Sequence, residues 1–432
     1  MKNFLSALSL GSTPDSKLNL SVAIGSTIVR QLMSSLLYFI ALWISTRQLG
    51  AHQNGLLATA LLLPQTLYAL LNFGLGPSHV YHLSSGTGQH KKMRITNWTL
   101  AIALWALIFI ALLASSDAFI AKYLPGIGKP AALFASLLFP TMLLAAWTSA
   151  LIQGNRDYHI YNKTLLIQPL VFCCGVVTLG ALGAVTVISV LSCYIVSQMA
   201  LWLLCEAKLH AFVTPVGNKT HSLLDSIKYG LRAHLSNVIT FLHYRIALYL
   251  VSYLLGPTET GKYALAIQLA EVMWLVSSAA STIVFPESAA HNKSPAALKQ
   301  MIEKIAAKVF QVTLAAALLA AALSTVAIPW IFGREYEGAV IPYIILLPGI
   351  VVWSYMSVLS NSLAGMGYQY INIRSAILCL AINIVGDLAL IPLWGLPGAA
   401  FVSALAFASA ALYTTLQYKR VMARRLNQHG GD

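Results

Sequence analysis

The sequence predicts an all-α polytopic membrane protein of about twelve transmembrane helices, in two pseudo-symmetric six-helix lobes around a central cavity. The first observation is composition: 58% of the 432 residues are hydrophobic and only 9% are charged. Soluble domains carry about 25% charged residues, so this chain lacks the residues that would cover a water-facing surface. The second observation is that apolar runs of about 20 residues, the length that crosses a bilayer, recur along the whole chain.

Short polar segments separate the apolar runs, and each run is interpreted as one span. No segment between two runs is long enough to fold independently. Spans 5 and 6 are joined by a tight turn, as are spans 11 and 12. We predict spans near residues 20–46, 54–82, 95–115, 131–153, 160–181, 184–205, 228–254, 261–287, 306–330, 338–364, 371–392 and 397–418.

A polar linker that contains Pro215 and Gly217 lies near the middle of the chain. It follows the sixth span and divides the spans equally. We therefore expect an N-terminal six-helix lobe over 1–206 and a cytoplasmic linker over 207–227. A C-terminal six-helix lobe with a basic cytoplasmic tail is expected over 228–432.

The distribution of Lys and Arg predicts the orientation. With an even number of spans, both termini lie on the same side of the membrane. The termini and the loops that join even to odd spans hold most of these residues, including Lys91, Lys92, Arg94, Lys299, Lys304, Lys308, Lys419, Arg420, Arg424 and Arg425. The opposite loops hold Arg47, Lys122, Lys129, Lys262 and Arg334. Cytoplasmic loops are the basic ones, so we expect both termini in the cytoplasm.

Two short patterns recur in both halves. Leu49-Gly50-x4-Gly55 between spans 1 and 2 returns as Leu255-Gly256-x4-Gly261 between spans 7 and 8, 206 residues later. A Gly-rich turn at 180–184 between spans 5 and 6 returns at 395–399 between spans 11 and 12. Similar landmarks in the same order indicate an internal duplication. Each half has an even number of spans, so the repeats are parallel and the substrate path is expected between them.

The same observations argue against several classes of function. The net charge of +14 lies in short loops and not on one folded face, which argues against nucleic-acid binding. Residues 256–262 resemble a phosphate-binding loop, but Tyr263 replaces the required Ser or Thr and a membrane span precedes it. No arrangement of catalytic side chains is recognisable, and the five cysteines lie in or beside apolar runs. We expect a transporter that is not an enzyme and needs no cofactor or metal.

Ionisable residues at membrane depth are the candidate functional groups, because each is costly there without a partner or a watery cavity. Arg30 lies inside span 1, and Arg232, His234, His243 and Arg245 all lie on span 7. At about 100° per residue, eleven positions return to nearly the same helical face. Arg232 therefore shares a face with His243, and His234 with Arg245. We expect one of these faces to line the cavity and the other to pack against neighbouring helices.

Two acids lie in the spans of the second half. Glu271 on span 8 lies at a depth similar to that of Arg245 on span 7, which predicts an ion pair. The pair has either a purely structural role or a role in transport, and the sequence leaves both open. Asp387 lies in the outer third of span 11. Glu271, Asp387 and the titratable His234 are the candidate ion-coupling groups.

Several segments of the second half resemble a known family. They are Gly261–Glu271, Ser281–Pro286, Leu363–Gly367, Asn383–Val385 and Ile391–Ala400. These segments are similar to those of polysaccharide (O-antigen) flippases of the Wzx type, within the multidrug/oligosaccharidyl-lipid/polysaccharide exporter superfamily. The resemblance covers nearly the whole chain through loose, packing-related motifs.

This resemblance implies a flippase of the bacterial inner membrane for an undecaprenyl-diphosphate-linked oligosaccharide. The lipid is moved from the cytoplasmic to the periplasmic leaflet by alternating access coupled to H+ or Na+. Polysaccharide polymerase and chain-length machinery are the expected protein partners. A diphosphate suits arginine donors, so Arg30, Arg232, His243 and Arg245 are the expected substrate ligands. Two alternatives remain open: an exporter of a small drug or metabolite on the same fold, and a non-transporting membrane scaffold for polysaccharide assembly.

Overall fold

The structure is a computed structural model that describes residues 14–84, 89–155, 158–209, 223–289 and 294–429. Helices form nearly all of the described chain, and no strand occurs within these ranges. Helices are expected, because inside a bilayer a helix satisfies its own backbone hydrogen bonds.

In the described residues before 210, the structure has nine α-helices. They are α1 (Pro14–Leu71), α2 (Leu75–Ser84), α3 (His90–Ala114), α4 (Asp117–Tyr123), α5 (Lys129–Ser136), α6 (Leu138–Gly154), α7 (Tyr158–Leu165), α8 (Ile167–Ala181) and α9 (Val187–Leu209). The described part of the chain after residue 222 has seven more, with a short 3-10 helix at Arg334–Ala339. They are α10 (Leu223–Leu255), α11 (Pro257–Glu271), α12 (Trp274–Ala289), α13 (Pro295–Phe332), α14 (Val340–Gly365), α15 (Gln369–Trp394) and α16 (Leu396–His429).

The helices of the described residues account for the predicted twelve spans. Ten segments are long and apolar enough to cross a membrane, and the pair α11 and α12, bent by 41°, adds an eleventh. The segment Val29–Leu71 is counted once, although its 43 residues are about twice the length that a bilayer needs. Its helix is interrupted at Gly50, where φ is +70°. If this segment is divided at Gly50 into two spans, the total is twelve spans. The predicted fold class is confirmed.

Several predicted spans are broken where proline removes a backbone donor. Span 4 consists of α5 and α6, separated at Leu137, and span 5 consists of α7 and α8, separated at Leu166. Each break lies three residues before a proline, Pro140 or Pro169, where the missing N–H and the ring disfavour a regular turn. By contrast, Pro348 lies inside the continuous α14.

The chain divides into two compact units. The first consists of Met1–Gln48, Leu63–Ser116 and Gly128–Leu235. The second consists of Leu49–Leu62, Asp117–Ile127 and Ser236–Asp432. Residues 210–222 of the predicted linker lie outside the described residues, and the lobe boundaries at 206 and 228 remain a prediction.

In the first unit, α6 is the central helix. Phe139, Leu143 and Trp147 on α6 are almost fully buried, together with Leu75 of α2. A buried ion pair lies at one end of this unit, where Glu206 accepts hydrogen bonds from Arg94 and from the indole N–H of Trp98. In the second unit, α14, α15 and α16 pack together, and Leu359, Leu363, Met422 and the ends of α12 and α13 form a continuous apolar core.

The first repeated pattern has a clear structural counterpart within the second unit. Gly50 and Gly256 both have positive φ, and a helix starts after each of them. The helices cross so closely that a Cβ on Gly55 would overlap the carbonyl oxygen of Pro257, while a Cβ on Gly261 would overlap that of Ala51. These contacts are reciprocal, because Ala51 and Pro257 also occupy equivalent positions 206 residues apart. The equivalent residues His52 and Thr258 meet at the same crossing, 3.2 Å apart.

The second repeated pattern is less regular than its letters indicate. The glycine with positive φ is Gly183 in the first half and Gly395 in the second, which are 212 residues apart. Alignment of the two sequence segments pairs Gly183 with Gly398 instead. The difference arises because α8 continues past Gly180, whereas α15 ends at Trp394, directly before Gly395.

Candidate functional site

Arg30 is held in place within the first unit by a polar cluster. Its Nε donates to Oδ1 of Asn162 at 3.1 Å. The amide nitrogen of Asn162 donates in turn to Ser26 Oγ and Thr27 Oγ1, both at 3.0 Å. Asn162 is buried and Arg30 is half-buried. Because the contact uses Nε, it fixes the guanidinium without occupying the two terminal nitrogens, which are the donors that grip an oxyanion.

His234 also lies in the first unit, where it is buried. Its Nε2 lies 3.0 Å from the carbonyl oxygen of Leu70, and its ring contacts Phe73. These contacts attach the start of α10 to the end of α1. The side chain of Arg232 lies outside the described residues, so its predicted role stays a prediction.

Arg245 and Glu271 form the predicted ion pair within the second unit. Nη1 of Arg245 lies 3.5 Å from Oε1 of Glu271, and the side chains are 29% and 26% exposed. The pair joins α10 to the last residue of α11, directly before the bend to α12. Its geometry is looser than that of a bidentate arginine–carboxylate pair, so Arg245 keeps donors for other acceptors.

His243 lies two residues from Arg245 on α10 but in a different environment. It is 2% exposed, and its Nδ1 lies 3.6 Å from Sγ of Cys379 on α15. The amide of Asn383, one turn further along α15, donates to the backbone carbonyl of His243 at 3.1 Å. Nε2 of His243 is buried and has no hydrogen-bond partner within the described residues. Aromatic rings surround the imidazole: Tyr244, Trp353 and Phe407.

That one face of α10 lines the cavity and the other packs against neighbouring helices stays a prediction. His234 and His243 are buried although they lie on different faces. The reason is that α10 passes from the first unit to the second at Ser236. His234 and Arg245 share a face, eleven positions apart, but they belong to different units.

Asp387 is fully buried within the second unit. Neither of its carboxylate oxygens has a hydrogen-bond partner within the described residues, and the same holds for Oδ1 of Asn383, one turn away on α15. A buried ionised carboxylate without partners is strongly unfavourable, so this group is either protonated or the ligand of a cation.

Among the described residues of the second unit, His243 lines two cavities. The larger, of about 190 Å³, is lined by the polar residues Thr240, Ser357, Ser360, Asn372 and Ser375. The smaller, of about 20 Å³, is lined by Glu271, Trp274 and Ser403 among others. A cavity of about this size holds one water molecule.

Sequence reasoning identified the charged residues but not the polar neighbours that position them. Asn162 carries no signal of its own in an apolar span. The polar residues of α15 could have been found from the sequence. They recur every three or four positions, which places them on one helical face. These residues are Asn372, Ser375, Cys379, Asn383 and Asp387. Within the described part of the chain, no group of three or more His, Cys, Asp and Glu side chains could hold a metal ion.

Comparison with solved structures identifies the fold. The chain is similar to an inward-facing multidrug resistance MATE family transporter of the MOP superfamily, with a TM-score of 0.72 and 15% identity over 92% of this chain and 98% of that chain. It is similar to the lipid II flippase MurJ in an inward closed conformation, with a TM-score of 0.73 and 15% identity over 93% and 89%. A third similar structure is a MOP superfamily transporter from Pyrococcus furiosus, with a TM-score of 0.66 and 14% identity over 93% and 96%.

At these identities the similarity defines the fold: this is a multi-pass membrane protein with the architecture of MOP superfamily transporters. Residues 44–341 match the family described as polysaccharide biosynthesis protein. The chain therefore belongs to that family, as its sequence motifs predicted. No curated protein matches the sequence.

Proposed function

We propose that this protein is a flippase for an undecaprenyl-diphosphate-linked oligosaccharide, such as an O-antigen or similar surface-polysaccharide repeat unit. It moves this lipid from the cytoplasmic to the periplasmic leaflet of the bacterial inner membrane, with both termini in the cytoplasm. Polysaccharide polymerase and chain-length machinery act on the transferred unit. Membership of the polysaccharide biosynthesis family supports the proposal, together with a fold similar to that of a lipid II flippase.

The observation that carries the choice of an anionic substrate is the arrangement around Arg30. Its Nε is committed to Asn162, and this contact orients the terminal nitrogens, which match phosphate oxygens in spacing and charge. Arg245 offers a second guanidinium through its loose pair with Glu271. Arg232 and His243 complete the proposed set of substrate ligands. An exporter of cationic drugs would favour carboxylates where this chain has Arg30.

Transfer is driven by alternating access coupled to H+ or Na+. Glu271 and Asp387 are the proposed coupling acids, with His234 as an additional titratable group. The burial of Asp387 without a hydrogen-bond partner among the described residues supports this role, since the group must bind a proton or a cation. Glu271 is suited to the role because protonation would remove its attraction to Arg245.

The test is an assay of lipid-linked repeat units on each leaflet, in a bacterial host whose own flippase has been deleted. We expect the wild-type protein to restore outward transfer and the double variant Arg30→Ala, Arg245→Ala to lose it. The control is Arg374→Ala, which removes an exposed arginine that lies over the ring of Tyr370. Its guanidinium is expected to anchor the helix at the interface, so transfer should continue.

Each other outcome separates the alternatives. Intact transfer in the double variant at wild-type abundance would contradict the proposed role of the arginines. A wild-type protein that restores no transfer, but moves small compounds in purified vesicles without polyprenyl lipid, would support the exporter alternative. Loss of both activities, with polymerase recruitment preserved, would support the scaffold alternative.

A further inference from the structure

We infer that the two cavities of the second unit form a proton pathway that joins at His243 and ends at Glu271. This inference rests on the proposed function, because it names the proton as the coupling ion and assigns its route. His243 lines both cavities, and its Nε2 has no hydrogen-bond partner within the described residues. A buried imidazole at such a junction can exchange a proton between water molecules on its two sides.

The larger cavity has the composition of a water-filled passage. Hydroxyl groups of Thr240, Ser357, Ser360 and Ser375 line it, and Oδ1 of Asn372 is buried without a partner within the described chain. Polar lining groups of this kind hold water where the space allows two or more molecules, as about 190 Å³ does. The lining lies near the end of α14 and the start of α15, which the predicted orientation places at the cytoplasmic end.

The smaller cavity connects His243 to the acid. Glu271 and His243 both line it, and its volume of about 20 Å³ suits one bridging water. The side chains of Glu271 and Arg245 are both partly exposed, so a proton can reach Glu271 from outside the packed helices. The groups therefore form a series: an accessible carboxylate, a space for one water, an imidazole and a wider polar cavity.

The transfer keeps the imidazole unchanged overall. Glu271 releases its proton to the water of the smaller cavity, and Nε2 of His243 accepts it to give the imidazolium. The same nitrogen then releases the proton to water in the larger cavity. This step uses the tautomer in which Nδ1, 3.6 Å from Sγ of Cys379, carries the hydrogen. Once Glu271 is deprotonated, its attraction to Arg245 is restored. The passage of each proton therefore breaks and re-forms the ion pair between α10 and α11.

The other titratable or charged groups near His243 come from three helices. Tyr244 and Arg245 lie on α10, Glu271 on α11, and Cys379 on α15. The residues of α14 and α16 that line the cavities carry no charge. Asp387 lines neither cavity, so the route proposed here can be tested separately from that residue.

The experiment measures proton entry into vesicles that contain purified protein and a trapped pH-sensitive dye, after an external acid step with the membrane potential clamped. Wild-type protein should admit protons faster than empty vesicles, and His243→Gln should reduce entry to the level of empty vesicles. The matched control is His79→Gln: His79 is a buried histidine of the first unit bonded to Asn97 at 2.7 Å. This control should retain wild-type proton entry.

A second variant covers the case in which His243→Gln does not fold. Ser357→Leu fills the larger cavity and leaves both titratable groups in place, so it must also abolish proton entry. Undiminished entry in either folded variant overturns the inference, as does wild-type protein that admits no protons. If wild-type cells transfer repeat units with Na+ as the driving ion, the proton route fails and the flippase proposal stands. If the protein admits protons into vesicles but cells that lack it still transfer repeat units normally, the flippase proposal is wrong and the proton route stands.

Discussion

At the scale of single residues, two arginines of the spans are each paired with a group that limits the cost of their charge. Arg30 has the amide of Asn162, and Arg245 has the carboxylate of Glu271. The two solutions differ in electrostatics, because the amide leaves the positive charge of Arg30 intact while Glu271 largely neutralises Arg245. Arg30 is therefore the stronger permanent attraction for an anion, and Arg245 is the arginine whose charge responds to protonation of its partner.

Asn162 should act as a positioning residue for Arg30. Replacement of Asn162 by Leu keeps a similar volume but removes the acceptor for Nε, a hydrogen bond to a charged group that contributes about 1.5–3 kcal/mol. We expect outward transfer of lipid-linked repeat units to fall while protein abundance is retained. Asn162→Asp preserves an acceptor for Arg30 and should retain more transfer than Asn162→Leu. Equal transfer in the two variants would show that the contact does not position the arginine.

At the scale of elements, the closest helix crossing described in the second unit depends on small residues. The start of α11 crosses the helix that follows Gly50 at backbone contact distance, because Gly55 and Gly261 have no side chain. Glu335 of the 3-10 helix strengthens this region, since its Oε2 accepts from the backbone N–H of Ala51 at 2.9 Å. An acid at the first free N–H of a helix is favoured by both the hydrogen bond and the helix dipole.

Substitution of Gly261 by Ala should destabilise the protein. The new Cβ would overlap the carbonyl oxygen of Ala51, which is backbone and cannot turn away, so the helices must separate. Overpacking of this kind costs about 1–3 kcal/mol, and we expect a lower midpoint of thermal unfolding in detergent. Gly76→Ala is the matched control, because its Cβ would meet nothing closer than Ala150 Cβ at 3.8 Å. A midpoint lowered equally by both substitutions would contradict the role of the crossing.

At the scale of the whole molecule, the loop charges and the number of spans together predict the membrane topology. Loops rich in Lys and Arg alternate with loops that hold few of them. This alternation would be lost if one span had been missed or counted twice. The breaks inside spans 4, 5 and 8 do not alter this alternation, because each broken pair still crosses the membrane once in the count of twelve.

Reporter fusions should confirm this topology in a bacterial host. Alkaline phosphatase, which is active in the periplasm, should be inactive when fused after Arg425 and active when fused after Lys122. The physical reason is that basic segments are retained in the cytoplasm against the membrane potential. Green fluorescent protein fused at the same two positions provides the converse control. Phosphatase activity at the C-terminal fusion would overturn the predicted orientation.

The sequence by itself determined the class of fold and the first of the two repeated patterns, and it predicted twelve spans and the depth of each charged residue. These are local properties, since hydropathy, helical rise and loop charge are read from neighbouring residues. It also predicted the pair of Arg245 with Glu271, because similar depth on consecutive spans restricts the possible partners.

The tertiary structure alone decided which faces meet. Most of the helices are apolar around much of their circumference, so hydrophobic patterning does not indicate which neighbour each face contacts. Arg30 and Asn162 are 132 residues apart, and His243 and Cys379 are 136 apart. Such contacts depend on the packing of several helices at once. For the same reason, the two cavities that meet at His243 become visible only in the folded chain.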